Sequence, residues 1–174
     1  MGFEGQIIME TSNIEHEEKL TLSVDINIPG HDPRTATILF ENSKKLLLDR
    51  DGARCFICNA TAEESGEPLE SHHYPIERSL ANMIDWDYVK SEALSGRMGV
   101  HAQQFNWDGF MGAIPFDPIT FVDDQTVNGL ILCKKHHTGK DEGIHDLPHP
   151  LWIAQKYGKE GYDFSKIEII HHNQ

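Results

Sequence analysis

The sequence predicts an α+β fold, and three observations carry that expectation. Short stretches that alternate apolar and polar residues stand beside longer stretches with helical spacing. Two four-residue ligand hooks, Cys55-Phe56-Ile57-Cys58 and Cys133-Lys134-Lys135-His136, close on themselves in distant parts of the chain. At 174 residues, with no repeat, low-complexity tract or linker, the chain reads as a single domain, 1–174, with a core of its own.

The elements follow in order. Leu20 to Ile28 alternates cleanly and predicts a half-buried strand, ended by the turn Pro29-Gly30-His31-Asp32-Pro33. Thr35 to Arg50 has helical spacing, with Ile38, Leu39, Leu46 and Leu47 as its apolar stripe and Asp51-Gly52 as its stop. The Cys55–Cys58 hook runs into a polar turn over 59–66. Leu69 to Tyr74 is a short strand carrying His72 and His73. Ile76 to Leu94 predicts one helix, with Ile76, Leu80, Met83, Ile84, Tyr88 and Val89 on its buried face.

From Gly96 to Asp124 the pattern is irregular, with Phe105, Trp107, Phe110, Phe116 and Phe121 among glycines and prolines. This is read as a satellite core in preference to a base-stacking platform. Val127 to Leu132 predicts a second strand, and Cys133 to Asp141 a helix that Gly143 ends. Leu151 to Tyr157 predicts another helical turn or two, and Ile167 to Ile170 a last strand.

Composition excludes several classes. With 39% hydrophobic and 25% charged residues the chain has the make-up of a globular protein, and no apolar run is long enough for a membrane span. Met1 to Glu10 lacks the basic flank and apolar stretch of a secretory signal, and Gln6 stands where a myristoylation signal needs Ser or Thr. A cytoplasmic location is expected. There are three cysteines, an odd number, and two form a C-x-x-C hook, which favours metal over disulfide. A redox C-x-x-C is the competitor, but this hook precedes a polar turn and opens no helix. The formal charge of -13, from 15 basic against 28 acidic residues, runs against a nucleic-acid enzyme, because Lys and Arg ordinarily neutralise the phosphates. Bound divalent ions, or a protein partner, would offset it.

Structural zinc takes four thiolate or imidazole ligands, and two x-x hooks supply two each. Cys55, Cys58, Cys133 and His136 make that set, although adjacent His137 competes with His136 for the fourth place. Zinc there would staple the end of the 35–50 helix to the start of the 133–141 helix. His72-His73 and Asn128 lie between the hooks. Individually these residues have ordinary roles: a surface histidine, an Asn-Gly turn at Asn128-Gly129, and solvated charges at Glu70, Glu77 and Asp141.

Taken together, Cys55/Cys58, His72/His73, Asn128, Leu132, Cys133, His136 and His137 resemble the zinc-containing subtype of the HNH endonuclease family, which has the ββα-metal fold. The resemblance covers about 46–145, with 76–124 as a helical and aromatic insertion. It implies an endonuclease that hydrolyses DNA phosphodiester bonds with Mg²⁺ or another divalent ion. By the resemblance His73 is the general base, a role that suits an imidazole. His72 and His137 hold the catalytic metal, and Asn128 bonds across the hairpin to hold the base.

Where many members carry a further histidine, one helical turn after His137, this chain has Asp141. A carboxylate there would favour Mg²⁺ or Mn²⁺, and His145 is the alternative ligand. Arg54 and Arg78 are candidates for phosphate contact, or else surface ion pairs. The competing function is a zinc-stapled binding or assembly protein without catalysis.

Overall fold

Thr37 opens the first helix of the computed structural model, which describes residues 35–158. The expected strand at Leu20–Ile28, its following turn and the strand at Ile167–Ile170 lie outside the described residues. The Thr37 hydroxyl accepts from Phe40 N at 3.0 Å and caps α1 (Ile38–Arg50). The hook and the turn after it lead through α2 (Ala62–Ser65) to β1 (Glu70–His73). A 3₁₀ turn at Arg78–Met83 precedes α3 (Trp86–Leu94). Three short helices follow: α4 (Val100–Gln103), α5 (Trp107–Met111) and α6 (Ile119–Val122). Then come β2 (Gly129–Leu132), α7 (Lys134–Thr138) and α8 (His149–Ala154). The fold is therefore α+β in character, with helices around an antiparallel sheet that is two-stranded among the described residues.

β1 and β2 pair Glu70 with Leu132 and His73 with Gly129. A one-residue slip would exchange the faces of His72 and His73, so this register fixes which imidazole goes where. The sheet is short, and its stability comes from what covers it. Leu47 of α1, Cys55, Ile57, Leu69, Leu130 to Cys133 and Trp152 of α8 form one buried cluster around it. A second cluster, built from Ile76, Ala81, Trp86, Val89, Trp107, Phe110, Phe121 and Val122, fills the segment between the strands. Phe121 is its hub, with ring centroids 5.1–5.4 Å from Phe105, Trp107 and Trp86. The expected satellite core is thus present, though Phe116 stays partly exposed at its edge against Phe110.

Three sequence expectations need correction. The α1 stripe holds only at Leu47, which is fully buried: Ile38 is 82% and Leu46 59% exposed, and the inward line is Ser43 and Leu47. Ser43 faces inward because its hydroxyl donates to the backbone carbonyl of Asp123 at 2.9 Å, a long-range bond that no apolar pattern signals. The helix expected over Ile76–Leu94 is broken. Ile84 is extended (ψ 135°), and Asp85 caps a fresh helix by accepting from Tyr88 N at 3.0 Å. Burying Trp86 at the first position of α3 turns Tyr88 outward.

The third correction is the helix after Cys133, which ends at Thr138, before Asp141. The cause is close backbone approach. A Cβ on Gly139 would lie 2.2 Å from Lys135 O, and one on Gly143 would lie 2.6 Å from His137 O. Both positions need glycine for the loop after α7 to fold back along the helix.

Candidate metal centre and base

Among the described residues, two groups of side chains that could hold a metal meet at α7, one through His136 and the other through His137. In the first, the donor atoms of Cys55, Cys58, Cys133 and His136 are all within 4.8 Å of one another. Tetrahedral zinc with Zn–S about 2.3 Å and Zn–N about 2.0–2.1 Å implies S···S edges of roughly 3.8 Å and S···N edges of roughly 3.6 Å. Here Cys58 Sγ and Cys133 Sγ are 3.9 Å apart, Cys55 Sγ lies 3.7 Å from His136 Nδ1, and Cys133 Sγ 3.2 Å from it. The residues fit a zinc-like ion. His136, not His137, supplies the fourth donor.

Local structure holds the hooks in place. Phe56 N donates to Ile131 O at 2.7 Å, and the Trp152 indole donates to His136 O at 2.8 Å. Crowding shapes the thiols as well. Burial opposes ionisation of Cys55, but hydrogen bonds from His136 and from backbone amides win and lower its pKa to about 6. Burial and the neighbouring thiolates push Cys133 up to about 12, and burial raises Cys58 too. That mutual repulsion is what a bound divalent cation would cancel.

The second group is His72, His137 and His145, with donor atoms again all within 4.8 Å of one another. Their ring centroids are 4.9–5.3 Å apart. His137 Nε2 and His145 Nε2 stand 3.3 Å apart, close to the edge expected for two imidazoles on one tetrahedral ion. On its other side His137 Nδ1 meets the Glu70 carboxylate. That contact assigns the proton to Nδ1 and leaves the Nε2 lone pair for a metal, the usual carboxylate–histidine arrangement.

His145 joins the group because the folded-back loop bonds Ile144 N to His136 O at 3.0 Å and His145 N to His137 O at 3.5 Å. Asp141 does not belong to the group. It lies past the helix end with φ +60°, and its N–H bonds Asp146. Three imidazoles suit Zn²⁺, Ni²⁺ and their neighbours better than Mg²⁺.

Glu77 was expected to be a solvated charge, yet its Oε1 is 3.0 Å from His72 Nε2. Burial opposes its ionisation. The hydrogen bond from His72, together with the His72, His73 and His145 rings, outweighs that and keeps its carboxyl below the usual range. Glu77 therefore stands within electrostatic reach of both the histidine group and His73.

His73 takes the opposite face of β1 from His72. Its Nε2 is 3.2 Å from Asp123 Oδ1, and the Phe40 ring lies 5.3 Å from its own. Burial pushes its pKa below the ordinary imidazole value, against the opposite pull of Asp123 and Glu77, so the ring is neutral at pH 7. Arg78 is no free phosphate contact, because its Nε donates to Asp123 at 3.1 Å. Arg54 is exposed and bonded to Asn59 O and Glu64.

Asn128 is fully buried and acts on the backbone. It donates to Ile76 O at 2.8 Å and Val122 O at 3.0 Å, and accepts from Ile76 N at 3.0 Å. It thus pins the exit of β1 to β2 and touches no atom of the His73 ring by these bonds. Sequence reasoning missed Asp123 and Glu77. Neither sits at a motif spacing, and each is recruited only by the packing of the segment between the strands.

No protein-family model, curated protein or solved structure matches this chain. No helix among the described residues is long and apolar enough to cross a membrane.

Proposed function

We propose that the chain is a zinc-stapled endonuclease of the HNH type, with a ββα-metal core over about 46–145, that hydrolyses DNA phosphodiester bonds. The observation that supports this best is the meeting of a three-histidine group and His73 around one strand, β1. The His72, His137 and His145 donors lie within 4.8 Å of one another, and His73 stands beside His72 on the same strand with a carboxylate partner.

His73, neutral at working pH, takes a proton from the attacking water. His72, His137 and His145 hold the divalent ion, with Glu70 orienting His137 and Glu77 bonded to His72. When bound, that ion supplies charge stabilisation for the phosphate and the leaving oxygen. Cys55, Cys58, Cys133 and His136 hold the structural zinc and keep α7 in register with the hairpin. Asn128 locks the chain just after His73. Three imidazole donors favour Ni²⁺ or Zn²⁺ over Mg²⁺ as the activating ion.

The test is plasmid nicking by the zinc-loaded protein with each of these ions, for wild type and His73→Ala. Metal-dependent nicking that falls at least about 100-fold in the variant supports the mechanism. Equal cleavage by both would sink it. The acidic balance of -13 favours a second reading, a zinc-stapled binding protein without catalysis. One zinc per chain, no second ion bound and no nicking with any metal would select that reading.

A further inference from the structure

We propose that Asp123 is the positioning residue for His73, holding its Nε2–H so that Nδ1 is the atom that takes the proton from water. This rests on the reading of His73 as the general base.

Asp123 is 1% exposed, and among the described residues its carboxylate meets Thr37, Arg78 and His73. Thr37 Oγ1 donates to Oδ2 at 2.8 Å, Arg78 Nε to Oδ1 at 3.1 Å, and the third contact is His73 Nε2 to Oδ1 at 3.2 Å. An ionised carboxylate only accepts, so the imidazole nitrogen facing it must carry the hydrogen. Arg78, on the same Oδ1, supplies the counter-charge to the carboxylate. With the hydrogen held on Nε2, the lone pair that can take a proton lies on Nδ1.

The carboxylate cannot follow a wandering ring. Asp123 N donates to Ile119 O at 2.9 Å, its carbonyl accepts from Ser43 at 2.9 Å, and the preceding Phe121 and Val122 are fully buried. Phe40 lies against the ring itself. As the water oxygen bonds to phosphorus, its O–H bond breaks and the proton passes to Nδ1. The P–O bond to the leaving alkoxide breaks, and the alkoxide is protonated by solvent. The imidazolium that forms keeps its Nε2–H on Asp123, whose negative charge stabilises it.

The test uses the full chain with its zinc, labelled with ¹⁵N-histidine, and His73→Gln to assign the His73 signals. At neutral pH, with no second metal added, the expected spectrum has His73 protonated at Nε2. Asp123→Ala should lose that preference. Asp123→Asn keeps an acceptor oxygen for Nε2–H but removes the charge. It should retain the tautomer and lower kcat at least about tenfold, with KM little changed. A wild-type His73 protonated at Nδ1, or Asp123→Asn with unchanged kcat, overturns the proposal. If the variants fold poorly, the wild-type spectrum alone still decides the tautomer. An Nε2–H tautomer in a protein that cleaves nothing would instead overturn the base role and the nuclease reading. It would leave Asp123 as the partner of a non-catalytic imidazole.

Discussion

Replacing Asn128 with alanine removes three hydrogen bonds at one fully buried point. Ile76 loses the partners of both its N–H and its C=O, and Val122 loses the partner of its C=O. A neutral buried hydrogen bond nets about 1 kcal/mol, and each backbone group left unpaired costs about 1–3 kcal/mol. Partial entry of water moderates the sum, so a loss of about 3–5 kcal/mol is expected. Folded domains have about 5–15 kcal/mol in total. With a urea slope of about 1–3 kcal/mol per molar, the midpoint should fall by at least about 1 M.

Asn128→Asp should be at least as harmful, because a carboxylate would face the two carbonyls that Asn128 Nδ2 now bonds. Equilibrium urea unfolding followed by tryptophan fluorescence, with metal analysis establishing one zinc in every sample, measures this directly. A midpoint shift below about 0.3 M at unchanged slope would refute the account of Asn128 as the lock between β1 and β2.

Two further predictions concern the metal groups. In the zinc-free protein at pH 7, Cys55 (about 6) is already a thiolate, while Cys58 (raised) and Cys133 (about 12) are protonated. Zinc uptake should therefore release about two protons from the thiols, read by calorimetry in buffers of differing ionisation enthalpy, and affinity should weaken as pH falls. Release of no protons would contradict the thiol assignment. For the histidine group, Glu70→Gln weakens the partner of His137 Nδ1 and should reduce Ni²⁺ or Zn²⁺ affinity at the second site about 10–100-fold while leaving the first zinc in place. Unchanged affinity would mean that Glu70 is only a surface charge.

Much of the local plan was readable in advance. The hooks at Cys55–Cys58 and Cys133–His136 and the two strands follow from spacing, because neighbouring residues share one element and their offsets fix their faces. Pairing His72 with His137, by contrast, rested on the resemblance to the HNH family. Helix limits were less legible. Ile76–Leu94 carries a plausible apolar period, yet Asp85 offers a cap and Trp86 a large area to bury, and these break the helix. His145 was visible as an option but undecided, since its place depends on two glycines allowing a loop to pack on α7.

By itself the sequence determined the chemistry available: which residues are thiols and imidazoles, and which pairs share a turn or a strand. Only the tertiary structure decided how they divide. It sends adjacent His136 and His137 to different groups, brings His145 to the second group and leaves Asp141 out. It also sets Asp123 against His73, 50 positions away in the chain. The physical reason is that short-range spacing constrains backbone direction within one element. A buried carboxylate, by contrast, is placed by the aromatic core packed behind it and by donors that arrive from three separate segments.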